Sequence, residues 1–154
     1  MMRNLLIVCN PTRVEAVEAT VKLSAGLRAA GFDLFTISEI DVEGITKCTI
    51  ADLPELEVAL VLGGDGTILR AAEVTREHQI PLLGVNLGHV GFLAEVEKVS
   101  LETVVDSLVH RKYVIDPRMT LRYSVVRKGA EVAQGWGLNE VTVERQHATM
   151  VELF

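Results

Sequence analysis

Apolar and polar positions along this chain alternate between two grammars. Asn4 to Cys9 and Val58 to Leu62 are short, nearly unbroken apolar runs, which is how a strand buried on both faces reads. Leu82 to Asn86, opened by Pro81, is a third, and Asp33 to Ile37 is read as a further strand. Between them lie stretches of helical period. Val14 to Ala30 places Val14, Val17, Val21 and Leu27 on one broad face and is stopped by Gly31; a second helix is predicted from Thr67 to Glu77. Ser100 caps a third, with Leu101, Val104, Val105 and Leu108 at helical spacing. From Ser38 to Glu57 the pattern weakens, with Gly44 and Pro54 as breakers. Alternating strands and helices predict an α/β fold, an open, mostly parallel, Rossmann-like sheet flanked by helices on both faces.

The grammar changes after Asp116-Pro117. Leu121 to Arg127, a Lys128-Gly129 turn, Glu131 to Gln134 and then Leu138 to Glu144 read as consecutive antiparallel strands. Two domains are therefore expected, an α/β nucleotide- or phosphate-binding domain over 1–116 and the beginning of an all-β antiparallel domain over 117–154. The sequence stops at Phe154 inside another apolar run, Met150 to Phe154, too soon to close a sandwich or barrel. A longer parent protein is expected, and an unfinished sheet would pair or aggregate through its edges.

Composition narrows the partners. A net charge of −6 and a pI near 5.2 argue against a nucleic-acid footprint. The longest apolar runs are far short of the roughly 20 residues of a membrane span, and the N-terminus lacks the pattern of a signal peptide, so a cytoplasmic protein without membrane contact is expected. Cys9 and Cys48 fit no metal-binding spacing and read as reduced thiols.

The chemistry concentrates in Gly63-Gly64-Asp65-Gly66-Thr67, between a buried strand and a helix. Glycines allow positive φ and close approach, and a strand-to-helix turn aims amides at an anion. Asp65 would repel a phosphate unless it coordinates magnesium or accepts a hydroxyl proton, so the turn predicts a kinase-like carboxylate. It is neither a Walker A loop, having no Lys-Ser/Thr pair, nor the dinucleotide fingerprint. Arg70, placed in the helix's first turn, opposes the helix dipole unless an anion lies near; pairing with Glu73 or Glu77 is the alternative.

Two further segments stand out. Gly84-Val85-Asn86-Leu87-Gly88-His89-Val90-Gly91-Phe92-Leu93-Ala94 lies at the carboxyl end of a buried strand, where open α/β sheets bind ligands; Phe92 either stacks on a base or fills the core, and His89 reads as an ordinary loop histidine. In Gly137-Leu138-Asn139-Glu140-Val141, neighbouring side chains on a strand point to opposite faces, so Asn139 and Glu140 act together only if the backbone turns or bulges. Such a pair can read an adenine edge and grip ribose hydroxyls.

In this order, GGDGT, then N-L-G-H-V-G-F-L, then L-N-E about fifty residues on, the segments resemble the NAD kinase family over the front half of that family's length. The first motif alone is shared with diacylglycerol and sphingosine kinases. The resemblance implies transfer of a phosphoryl group from ATP or polyphosphate, with Mg2+ or another divalent cation, to the 2′-hydroxyl of the adenosine ribose of NAD. It implies Asp65 as general base, Gly63, Gly64 and Thr67 as phosphate contacts, and Gly66 and Arg70 lining the NAD site. It also places Phe92 beside the adenine, has Asn139 with Glu140 hold adenine and ribose, and assigns no residue as a metal ligand. A homo-oligomer, dimer or tetramer, is implied for the full-length protein. The alternatives are a lipid kinase of the GGDGT type, for which the chain offers no membrane-facing segment, and a non-catalytic nucleotide-binding module.

Overall fold

A computed structural model describes residues 3–87, 96–97 and 100–142. Six strands, β1 (Arg3–Cys9), β2 (Phe32–Thr36), β3 (Ile45–Lys47), β4 (Val58–Leu62), β5 (Leu82–Asn86) and β6 (Val96–Glu97), form one sheet in the order β3-β2-β1-β4-β5-β6. Every pairing in it is parallel. Helices α1 (Val14–Ala29), α2 (Asp65–Thr75) and α3 (Leu101–Val109) cover it from both sides. The unbroken apolar runs have their explanation here. Leu5, Ile7, Leu60 and Leu62 pack with residues of α1 and α3, whereas Leu6, Val8, Ala59 and Val61 pack with Ile68, Ala71 and Val74 of α2. The expected α/β class is what the chain adopts.

The strand order fixes where a ligand fits. The chain steps outward from β1 to β2 and β3, then returns to β4 on the other side of β1 and continues to β5. Loops leaving the carboxyl ends of β1 and β4 therefore part in opposite directions, which opens the crevice used by ligands in such sheets. No helix among the described residues is long and apolar enough to cross a membrane.

Three local expectations are corrected. Val14 and Val21 of α1 are 67% and 50% exposed, and the buried face is Ala16, Ala19, Thr20, Leu23, Ser24 and Leu27. Small residues let the helix sit close to the sheet. The two buried hydroxyls are satisfied within the helix, Thr20 Oγ1 donating to the Ala16 carbonyl (2.8 Å) and Ser24 Oγ to that of Val21 (3.0 Å), so polarity does not bar them from the interior. Helix α2 starts two residues earlier than expected, at Asp65. The weak stretch 38–57 contains β3 and a short 3-10 turn, Ile50–Asp52; a three-residue edge strand leaves no readable period. The Ser100 cap is as expected, its Oγ accepting from the Thr103 amide at 3.2 Å.

The described residues divide into two compact units between Ile115 and Asp116. The second contains an antiparallel hairpin, β7 (Thr120–Arg127) and β8 (Ala130–Leu138), turned at Lys128 and Gly129, both at positive φ (52° and 82°). Strand β8 is continuous, not broken after Gln134. It runs through Gly135 because Gly135 pairs with Tyr123, whose side chain occupies the space a Cβ would need, 2.4 Å from Tyr123 Oη. Residues of the predicted last strand beyond 142, and the run Met150 to Phe154, lie outside the described residues.

The amino-terminal edge of the parallel sheet is tied by one carboxylate. Glu57 accepts from Arg3 Nε (2.7 Å) and Nη2 (2.5 Å), from Tyr113 Oη (3.1 Å) and from Arg111 Nε (3.3 Å). Arg3 also donates to the Leu108 and Val109 carbonyls at the end of α3. The Arg3 hydrogen bonds, with those of Arg111 and Tyr113, hold the Glu57 carboxyl well below its ordinary range, at about 2, against the opposing effect of burial. A depressed carboxylate contributes stability above its unfolded pKa and loses it as pH falls through its folded value. Stability is thus expected to drop by about 1–2 kcal/mol between about pH 5 and 2, after allowance for solvent screening. Urea titrations at stepped pH check this, and Glu57→Gln should flatten that part of the profile.

Candidate phosphate-binding site

The site is built where β4 becomes α2. Gly64 caps the helix without a side chain, and its carbonyl accepts from the amides of Thr67 (2.9 Å) and Ile68 (3.1 Å). The positive end of the α2 dipole therefore lies where β4 ends, at the carboxyl edge of the sheet. Asp65 is the first residue of the helix and is half-buried.

The expected left-handed glycines are not found: Gly63, Gly64 and Gly66 all have φ outside the positive region. Close approach is the reason for Gly63 instead. A Cβ there would lie 2.3 Å from Thr67 Oγ1 and 2.8 Å from Thr67 Cβ. Rotating the hydroxyl cannot relieve the second contact, so Gly63→Ala is expected to cost about 1–3 kcal/mol. A urea midpoint shift reads that cost, and an unchanged midpoint would remove the packing argument. At Gly66 the opposite holds. It is exposed, with nothing within 4 Å of a Cβ position, so the chain itself leaves open space there.

Arg70 falls in the second turn of α2, not the first, because the helix begins at Asp65. The dipole penalty that argued for a nearby anion fades by that point. Among the described residues, Arg70 makes no ion pair with Glu73 or Glu77, and Glu77 pairs with Arg76 instead (3.3 Å). In the loop after β2 the Lys47 ammonium, and to a smaller extent Arg70, hold the Glu39 carboxyl below its usual range.

A loop that the sequence reading passed over completes the crevice. After β1 the Asn10 amide donates to the Leu62 carbonyl at 3.1 Å, fastening the ends of the two switch-point strands together. Asn10 Oδ1 accepts from the Thr12 amide (3.0 Å) and Thr12 Oγ1 (2.8 Å), which folds the loop into a tight turn and delivers Arg13 at the start of α1. Arg13 Nη1 stands 3.9 Å from the position of a Cβ on Gly64. Behind this loop, Ser38 Oγ accepts from the Cys9 amide (2.9 Å), and Thr36 Oγ1 donates to the Ile7 carbonyl (2.7 Å). The Asn10-x-Thr12 pattern directly after a buried strand was the available signal. Cys9 and Cys48 are free thiols, and burial pushes the Cys9 thiol up.

Asn86 ends β5 on the same edge as Gly63, while Gly88, His89, Gly91 and Phe92 lie outside the described residues. In the second unit, Leu138 ends β8 and the backbone turns at once: Asn139 adopts φ 67° and the Glu140 amide donates to the Leu138 carbonyl at 2.9 Å. The turn that joint action of Asn139 and Glu140 requires is therefore present. It forces residue 137 to be glycine, since a Cβ there would meet the Glu140 carbonyl oxygen at 2.4 Å. Among the described residues, no cluster of three or more His, Cys, Asp or Glu side chains forms a metal cage.

A doubly wound α/β domain thus sets a carboxylate-bearing glycine turn at its topological switch point, where open α/β sheets take ligands. The model of the ATP-NAD kinase N-terminal domain matches residues 5–113, and this chain belongs to that family. It is 43% identical to NAD kinase 2 of Streptomyces coelicolor, over 90% of this chain and 48% of that protein. It is 41% identical to an NAD kinase of Leifsonia xyli, over 97% and 52%. The chain spans about half the length of the curated relatives it matches. Among solved structures, yeast NADH kinase complexed with NADH matches with a TM-score of 0.68 over 89% of this chain and 44% of that one; at 17% identity this is a likeness of fold.

Proposed function

We propose that this chain supplies the amino-terminal domain of an NAD kinase, which moves a phosphoryl group from ATP or polyphosphate to the 2′-hydroxyl of the adenosine ribose of NAD and so forms NADP. The observation that carries this is Asp65, a carboxylate set as the first residue of α2 at the switch point, in a chain of this family. In the proposed reaction the 2′-hydroxyl gives its proton to Asp65 as its oxygen bonds to the transferred phosphorus. The bond from that phosphorus to the leaving phosphate breaks, and the leaving group takes the electron pair.

Gly63, Gly64 and Thr67 contact the donor phosphates, Gly66 and Arg70 line the NAD site, Phe92 borders the adenine, and Asn139 with Glu140 hold adenine and ribose. Mg2+ is ordinarily held by substrate phosphates and one or two carboxylates, not by an all-protein cage. The ion would be carried by the donor phosphates, with no residue of this chain assigned to it, and would supply neutralisation of phosphate charge. Residues from 117 onward form the start of a β-rich domain. The whole protein acts in the cytoplasm as a dimer or tetramer.

The test is NADP formation from NAD, ATP and magnesium in a cycling assay. It is run on this chain and on a chimera continued by the carboxyl-terminal half of the Streptomyces relative, with circular dichroism to confirm folding. NADP formed by either protein is the expected result. A folded chimera that forms no NADP would overturn the reading, and phosphorylation of diacylglycerol in vesicles by that chimera would assign it to the lipid kinases instead.

A further inference from the structure

We infer that Arg13 is a contact for the polyphosphate chain of the phosphoryl donor, an inference that rests on the function proposed above. Arg13 enters the crevice from the β1 side, opposite the glycine turn, and its Nη1 lies at van der Waals distance from the missing side chain of Gly64. The guanidinium thus reaches the glycine turn at the start of α2. The backbone that carries Arg13 is held in place. Asn10 is fastened to Leu62, and its side chain holds the turn through Thr12, while the Arg13 amide itself donates to the Asn10 carbonyl at 3.3 Å.

Arg13 also lacks the usual structural reasons for an arginine. It is only half-buried, and among the described residues it forms no ion pair. As the residue flanking the start of α1 it provides no side-chain cap, and a cation there works against the helix dipole. A multiply charged anion between the two loops removes that conflict. Arginine suits it, because a planar fork grips two phosphate oxygens at once. Two loops from neighbouring strands would then hold one polyphosphate, the glycine turn through backbone amides and Arg13 through its side chain. The contact acts on the donor and leaves the acceptor side of the site untouched.

The experiment titrates this chain by calorimetry with inorganic tripolyphosphate and with ATP, both with magnesium, and in parallel with NAD. The proteins are the wild type, Arg13→Ala, Arg13→Lys and Lys22→Ala, the last removing an equal charge from an exposed position on α1. Thermal melts confirm that each is folded. Arg13→Ala is expected to weaken tripolyphosphate and ATP alike by about 10- to 100-fold, Arg13→Lys to recover part of the loss, and Lys22→Ala and NAD affinity to stay within about twofold. Equal tripolyphosphate affinity in wild type and Arg13→Ala would overturn the inference, as would an equal loss in Lys22→Ala, an effect on ATP alone, or no tripolyphosphate binding to the wild type. Failure of the NAD kinase reading is seen separately, in the absence of NADP formation by the folded chimera.

Discussion

Asp65→Asn is expected to lower NADP formation by about 100- to 10,000-fold, the range a positioned general base contributes. The substitution keeps size and shape and leaves a residue that suits the start of a helix. It removes a negative charge from the helix N-terminus, worth roughly 0.3–1 kcal/mol, so the fold survives. Because the 2′-hydroxyl bonds to the carboxylate as its proton leaves, the loss falls on kcat, with KM for NAD little changed. The measurement is the cycling assay on the folded chimera, wild type against variant. Turnover within tenfold of wild type would remove Asp65 from the role of base.

Leu60→Ala is expected to destabilise the first unit by about 3 kcal/mol, within the 2–5 kcal/mol range of buried leucine truncations. Leu60 is fully buried in β4, paired with Ile7 of β1 and Leu83 of β5, and it packs in the cluster that α1 and α3 share. The central strand cannot move inward to fill the void without breaking pairing on both sides. Against a typical domain stability of about 5–15 kcal/mol, this is a large fraction. Urea unfolding followed by far-ultraviolet circular dichroism reads it as a lower midpoint. A shift equivalent to less than about 1 kcal/mol would mean that Leu60 is not a packed core position.

The two effects have one origin. β4 carries Leu60 in its interior and Gly63 just beyond its end, so the strand that anchors the core also places the glycine turn. The rigidity that makes Leu60→Ala costly is what holds Asp65 at a fixed place on the sheet edge.

Much of this was legible in the residues. The runs Asn4 to Cys9 and Val58 to Leu62 predicted strands covered on both faces, and Lys128-Gly129 predicted the hairpin turn, because each signal is local and each residue type acts through its own backbone preference. The face of α1 was misread because valines outrank Ala16, Ala19, Thr20 and Ser24 in hydrophobicity. Burial there is set by how closely a helix approaches a sheet, and hydroxyls bonded to their own helix enter the interior freely. Positive φ was the wrong reason for the glycine turn. Gly63 is glycine because Thr67, four residues on, occupies the space of its side chain.

By itself the sequence determined the parallel α/β class and the position of the Gly63–Thr67 turn at the carboxyl end of a buried strand, since both depend on neighbours in the chain. Strand order came from the tertiary structure alone. It set β1 beside β4 and thereby brought Asn10, Thr12 and Arg13 to the Gly64 turn some fifty residues away. Pairing between distant strands is decided by how the two core faces fill against the helices, a property of the folded whole that no local pattern encodes.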